Sequence, residues 1–351
     1  MKKSLLLLLF LLAILLLVAC GANNSDDSNE ADGADKEESP SGTLTVYVGF
    51  QEDHALAAID RFQQDTGIGV DMVRMSAGEI LAKIRAERDN PQADIWYGGP
   101  ADTFEAAKME DLLHAYDSLV AADITEGYKD PEHYWTGIYE GAIGFATNQN
   151  FLDENNLEAP SSWDDLLDPV YENELVMPHP NSSGTAYTAL YSVLLAKGGD
   201  EEGFEYLKEL HPQVQQYTTS GSAPGRMVGL NEVGAGITFA HELVKFQEEG
   251  FDDIVISFPE DGTGFEVGAV AIIEGAPNEE LAQEFIDWAA GPGAQEVGQE
   301  TNNFQSPVHP DANQPEQSPN LDEINLLDSN PKEAGERRQE ILDRWDNEVN
   351  N

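Results

Sequence analysis

The first strict alternation of apolar and polar positions runs through Leu44, Val46 and Val48, and predicts a strand that opens at Thr43. From Asp53 the period changes. Leu56, Ile59 and Phe62 recur on one helical face, and Gly67 supplies the stop. Val70 to Met75 reads as a second strand. Ser76 and Glu79 then form a capping-box pair, which opens a helix running to about Arg88. Ala93 to Tyr97 is a third short strand, ending at Gly98-Gly99-Pro100, with a helix from about Asp102. Strand and helix alternate in the order of a parallel sheet covered by helices, an α/β architecture.

Further along, Gly141 to Asn148 reads as a strand that leaves this first lobe. Residues 160–258 supply more helices and strands, and Ile254 to Phe258 is the strand that starts the return. Gly268 to Ile273 is an apolar strand assigned back to the first lobe. Helices are expected over Asn278 to Ala290 and over roughly Gly293 to Glu300. Asn302 to Ser318 is rich in Pro, Asn and Gln and reads as loop. From about Lys332 a polar helix carries Ile341, Leu342 and Trp345.

The head of the chain departs from this pattern. Lys2 and Lys3 precede an unbroken apolar run from Leu5 to Ala19, too short to span a bilayer comfortably and shaped like a signal-peptide core. The run ends Leu17-Val18-Ala19-Cys20, and Cys20 is the only cysteine in the chain. Residues 21–42 are polar and acidic with no large apolar side chain, the composition of a disordered tether. One cysteine excludes an internal disulfide framework.

Charge sharpens the picture: 18 Lys and Arg stand against 66 Asp and Glu, a net charge of −48 in 351 residues. Nucleic acid is a poor partner for such a surface. The acids are spread along the whole chain, which points to a salt-adapted, halophilic protein, because concentrated salt shortens the Debye length to about 3 Å and mutes self-repulsion. Unfolding on dilution into low salt is the expected behaviour.

Two segments share one chemical device. In Ser183-Gly184-Thr185, Ser183 is a natural N-cap for a helix running from Gly184 to Lys197. In Ser220-Gly221-Ser222-Ala223-Pro224, Ser222 takes the same place, and Pro224 suits the first turn. A helix start offers unpaired N–H groups and the positive end of the helix dipole, so two such starts facing one cleft would hold a phosphate, phosphonate or carboxylate. Ser and Gly at a helix start also serve as plain caps, and the residues alone leave both readings open. His241-Glu242 follows the strand-like Gly236 to Ala240, at the edge where parallel sheets bind ligands. A zinc-protease motif is excluded, since Lys245 occupies the place of its second histidine. Glu266 closes the polar, glycine-bearing turn Glu260 to Glu266, as a ligand contact or as one more surface carboxylate. No nucleophile elbow, Walker A loop or dinucleotide fingerprint is present, so neither an enzyme nor a cofactor is expected.

Several marks, taken in order, resemble a known family. They are Leu44-Thr45-Val46-Tyr47, Asn90 to Trp96, Gly98-Gly99, Pro160 to Pro169, Ser183 to Thr188, Ala289 to Gln295 and Ser306-Pro307-Val308. Over residues 43–310 the chain resembles the bacterial solute-binding proteins of ABC importers (extracellular solute-binding protein family 1). Within it, the likeness is to the ferric-iron, sugar-phosphate and 2-aminoethylphosphonate branch. Leu17 to Cys20 is similar to a lipoprotein box, which implies that residues 1–20 are a lipoprotein signal peptide whose Cys20 is lipidated and becomes the first mature residue. The resemblance implies a two-lobed periplasmic-binding-protein-like fold of type II with the ligand cleft between lobes. Lobe 1 would comprise 43–143 and 267–351, and lobe 2 would comprise 144–266. It implies a monomeric, lipid-anchored receptor on the outer side of the cell membrane, which captures an anionic small molecule and delivers it to a permease. Carried over by position, Ser183, Gly184, Thr185, Ser220, Gly221, Ser222 and Ala223 become anion donors, and His241, Glu242 and Glu266 hold the rest of the ligand. Gln51, Ser76, Gly98 and Gly99 are first-lobe candidates. Ferric members carry a tyrosine pair near the position of Ala240-His241-Glu242, where this chain has none. A phosphate- or phosphonate-bearing organic solute is therefore the expected ligand, with ferric iron the alternative and an extracytoplasmic phosphoesterase a third reading.

Overall fold

A computed structural model describes residues 42–350. Cys20 and the acidic tether lie outside the described residues.

The first lobe is built on β1 (Thr43–Val48), which pairs in parallel with β2 (Gly69–Arg74) and β3 (Ile95–Pro100). Helices α1 (Glu52–Thr66), α2 (Ala77–Glu87) and α3 (Ala101–Met109) follow these strands. Both sheet faces are covered. Leu44, Val46 and Val48 pack with Ile59, Phe62 and Phe285, while Tyr47 and Trp96 pack with Ile80 and Phe104 on the other side. Tyr47 therefore sits in core despite its polar place in the alternation. Helix α1 buries Ala55, Ala58, Ile59 and Phe62, and Gly67 at φ 78° ends it. Leu56, expected on the buried face, is 48% exposed, because the two small alanines set the contact stripe and Leu56 falls outside it. The Glu79 carboxylate accepts from the Ser76 N–H at 3.0 Å, as the capping-box pattern predicts.

After β4 (Leu113–His114) comes β5 (Thr136–Asn148), which begins five positions before the predicted Gly141 and joins the two lobes. Its first part, Thr136 to Ala142, pairs with β10, and its second part, Ile143 to Asn148, pairs with β8 and β9. The second lobe holds α4 (Gln149–Asn155), β6 (Leu175–Pro178), α5 (Gly184–Ala196), α6 (Asp200–Leu210) and β7 (Val214–Thr218). It continues with α7 (Ala223–Gly229), β8 (Ala235–Phe239), α8 (Ala240–Glu248) and β9 (Ile254–Ser257). Residues 258–264 lead back to β10 (Phe265–Ile273), which lies between β3 and β5. The strand order β2-β1-β3-β10-β5-β8-β6-β7 thus runs through both lobes.

Helix α9 (Glu279–Ala290) packs on the first lobe. The helix expected over 293–300 is a short α10 (Pro292–Gln295) followed by a 3-10 turn, Val297–Thr301. Helix α11 (Pro331–Glu348) corrects the lobe division drawn from sequence. Its Ile341, Leu342 and Trp345 enter the second-lobe core with Trp163, Leu190 and Phe204. Its other side meets α3 so closely that a Cβ at Gly335 would stand 2.5 Å from Glu105 Cβ. Residues 331–348 therefore clasp both lobes and do not belong to lobe 1 alone. Among the described residues no helix is long and apolar enough to cross a membrane.

Candidate functional site

The carboxyl ends of β1, β2 and β3 open on a cleft between the lobes with an empty volume of about 490 Å³. The first lobe lines it with Gln51, Arg74, Ser76, Ala77, Gly99, Pro100 and Tyr139. The second contributes Ser183, Gly184, Thr185, Gly221, Ser222, His241 and Glu242, while Glu266 and Gln305 come from the return strand and the C-terminal loop. Three sequence candidates are not among the lining residues. Ser220 holds the Ser222 hydroxyl at 3.1 Å, and Ala223 begins α7. Gly98 has a structural role. Its carbonyl accepts from Trp96 Nε1 at 3.0 Å, and the Phe50 ring lies 2.7 Å from where its Cβ would be.

One wall is made of donors. Ser183, 1% exposed, caps α5, its hydroxyl accepting from the Ala186 N–H at 3.4 Å. The first N–H groups of α5 lack helical acceptors and start at the cleft. Gly184 lets the lobes meet, since a Cβ there would stand 2.6 Å from Pro100 Cδ. The second segment differs from expectation. Ser222 has helical backbone angles (φ −86°, ψ −16°), makes no capping bond and precedes a helix of only 7 residues. It brings hydroxyls from a turn, with no helix dipole of weight behind them. The turn nevertheless touches the α5 start: a Cβ at Gly221 would collide with Thr185 Oγ1 and stand 3.3 Å from Ser183 Oγ.

A second group of lining residues is acidic and largely buried. His241 and Glu242 occupy the first turn of α8, with Glu242 exposed over only 14% of its side chain. Burial pushes the His241 imidazole down to about 3, reinforced by His54, so it is neutral. Burial raises the Glu242 carboxyl to about 7, against the pull of Lys245 and Arg74. Glu266 is raised well above the usual range by burial, and by the neighbouring Glu242 and Asp102 carboxylates. The Tyr139 hydroxyl donates to Glu266 Oε2 at 3.4 Å. Gln51 Nε2, His241 Nδ1 and Glu242 Oε2 are buried with no partner in the protein, an arrangement that costs free energy unless a ligand supplies the missing bonds. Among the described residues no group of three or more His, Cys, Asp or Glu is placed to hold a metal ion.

Sequence reasoning missed Arg74, Tyr139 and Gln305. Arg74 had a usable signal, as the last residue of a strand whose carboxyl end faces the ligand edge. Gln305, whose amide lies 3.4 Å from His241 Nε2, arrives from an irregular loop and had none.

With this cleft described, the comparisons with known proteins are informative. A family described as bacterial extracellular solute-binding protein matches residues 90–328. The chain belongs to this family. One solute-binding relative of known structure is AfuA of Actinobacillus pleuropneumoniae, a periplasmic binding protein with exogenous fructose-6-phosphate bound. It is 32% identical, superposes with a TM-score of 0.85, and the match covers 88% of this chain and 99% of AfuA. An uncharacterised protein of Haemophilus influenzae is 34% identical over 319 residues, covering 88% of this chain and 91% of that protein. A putative 2-aminoethylphosphonate-binding periplasmic protein of Salmonella typhimurium is 27% identical, covering 67% of this chain and 68% of the relative. The two-lobed fold expected of a solute-binding protein is thereby shared with AfuA at nearly full length.

Proposed function

We propose that this solute-binding protein captures a phosphate- or phosphonate-bearing small organic molecule between its lobes and hands it, chemically unchanged, to an ABC permease. One observation carries the reading. The capped start of α5 and the Gly221-Ser222 turn form a single wall of donors, in a cleft also lined by His241, Glu242 and Gln51, each with a buried unpartnered polar atom. The donor wall suits an anion. The acidic group suits hydroxyls, since a neutral imidazole, a protonated or ionised carboxyl and an amide can each give or accept a hydrogen bond. A sugar phosphate has both ends, and the likeness to AfuA supports it.

Closure is the mechanism of capture. Each lobe supplies part of the site, so bound solute bridges them and stabilises the closed form. The closed shape is then what a permease recognises. Lipidation at Cys20, with residues 21–42 as tether, would hold a monomeric receptor beside the permease on the outer face of the membrane. The acid-rich surface fits a strong-salt environment, where screening lets an anion approach a chain of net charge −48. A ferric cargo finds less support, because Ala240, His241 and Glu242 occupy the region where a phenolate pair would be needed. Phosphoester hydrolysis finds less support, because among the described cleft residues Ser76, Ser183 and Ser222 bond to groups other than His241, Glu242 or Glu266.

The test is a thermal-shift screen in strong salt with fructose 6-phosphate, 2-aminoethylphosphonate, inorganic phosphate and ferric citrate. Ligand at about 100 times Kd should stabilise the protein by about 2.7 kcal/mol. A response to ferric citrate alone would overturn the organophosphate reading, and steady release of phosphate from an ester would overturn the binder reading.

A further inference from the structure

We propose that Arg74 is the specificity-determining cation of the cleft, pairing with the charged phosphoryl or phosphonyl group of the solute; this rests on the anionic-solute reading above. Among the described residues that line the cleft, Arg74 is the one permanent cation, and the one imidazole, His241, is neutral. It closes β2, in register with Val48, so it emerges at the carboxyl edge of the sheet beside Gly49 to Gln51. Arg74 Nε donates to the Phe50 carbonyl at 2.9 Å. That bond uses one of five N–H donors and fixes the guanidinium plane, and no ion pair to a carboxylate is recorded for Arg74 among the described residues.

Among the described residues, Arg88, Lys129, Arg226 and Lys332 likewise lack a carboxylate within ion-pair distance, but none of them lines the cleft. Lys108, Lys245, Arg338 and Arg344 each hold at least one carboxylate within ion-pair distance. Arg74 is exposed at the cleft instead, and its influence is felt by the Glu242 carboxyl. Its strand end leads within two residues to Ser76, whose hydroxyl donates to the Thr219 carbonyl of the second lobe at 3.0 Å. The next residue, Ala77, has its Cβ 3.2 Å from a Cβ built at Gly184. Arg74 therefore lines the same cleft as the donor wall, from the lobe opposite to most of its N–H and hydroxyl groups. A planar fork there suits two oxygens of one phosphoryl group. It also answers an electrostatic need. Without a local cation, hydroxyls and backbone dipoles alone would have to hold a dianion in a strongly negative protein.

The experiment is calorimetric titration of wild type, Arg74→Gln and Arg74→Lys with fructose 6-phosphate, 2-aminoethylphosphonate and inorganic phosphate across a salt series. For the probe that binds wild type, Arg74→Gln should weaken binding about 30-fold or more and flatten the dependence of log Kd on log salt. Arg74→Lys should fall between, since an ammonium keeps the charge but loses the fork. The melting temperatures of the ligand-free variants should stay close to wild type, which separates a ligand contact from a packing role. Unchanged affinity and salt dependence in Arg74→Gln, with wild type binding normally, would overturn this assignment and leave the functional reading intact. Binding of none of the three probes by wild type would overturn both.

Discussion

The Ser76 hydroxyl donates to the Thr219 carbonyl at 3.0 Å, a hydrogen bond that runs from the N-cap of α2 in one lobe to the turn before α7 in the other. It is a direct tie between lobes at the edge of the donor wall, so it exists only when they are closed. Ser76→Ala removes it at a cost of about 1 kcal/mol to the closed form. Solute affinity should fall about fivefold. Small-angle scattering of the ligand-free protein should show a larger radius of gyration than wild type. Unchanged affinity would mean that the contact is incidental to closure.

Gly221 provides the space in which the turn and the α5 start meet. A side chain there collides with Thr185 Oγ1 and crowds Ser183 Oγ. Gly221→Val should push the two segments apart, at a cost of about 1–3 kcal/mol in stability, and lower solute affinity by more than about tenfold. Full affinity in a folded Gly221→Val protein would show that the turn and the helix start do not share one ligand group.

The Glu242 carboxyl is raised from 4.5 to about 7 in the folded protein. The native state therefore holds a proton that the unfolded chain releases, and this group contributes stability that is full below 4.5 and lost as pH rises through 7. Glu266, also raised, acts in the same sense. His241 and His54, lowered from 6.5 to about 3 and about 4, act in the opposite sense, but only as pH falls below 6.5. Above that point the carboxyls stand alone. In the ligand-free protein, Glu242→Gln should be stabilising at about pH 8, by up to about 3 kcal/mol, with the gain shrinking towards about pH 5. Chemical denaturation across that range checks the sign. A gain that grows as the pH falls would contradict the assignment.

Arg338 on α11 pairs with Asp102 at 3.0 Å and lies over the Tyr187 ring at 4.2 Å, only 3% exposed. Asp102 is itself raised to about 6, mainly by burial, and Arg338 is the largest influence pulling it back. Arg338→Met leaves a buried carboxyl without its partner and should cost about 3–5 kcal/mol in urea melts. Adding Asp102→Asn should recover part of the loss. A cost below about 1 kcal/mol would mean that α11 clasps the lobes by apolar packing alone.

The sequence exposed what depends on short range. The Ser183-Gly184-Thr185 helix start and the Ser76–Glu79 capping box were legible because a cap needs only its own next turn. Ser222 misled for the same reason. Its neighbours look like a helix start, but its backbone is already helical and its hydroxyl turns to Ser220. Leu56 was misplaced because two alanines, which carry little hydrophobic signal, make the real contact face of α1. The rest of the site depends on chain segments far apart in sequence. Tyr139 sits on the half of β5 that precedes the predicted strand, and Gln305 returns from residues 302–318 to meet His241, across 64 positions. No local pattern encodes that meeting. The reach of α11 into the second lobe was hidden likewise, since its apolar stripe says that it packs without saying on what.

The central claim is that the donor wall recognises a phosphoryl group. Calorimetric titration in strong salt with fructose 6-phosphate and with fructose, on wild type and on a Ser183→Leu/Ser222→Leu double variant, tests it most directly. Wild type should bind the phosphate ester at least about 100-fold more tightly than the free sugar, and the double variant should lose that preference while keeping its fold. Equal affinity for the two sugars, or an unaltered preference in the double variant, would contradict the account.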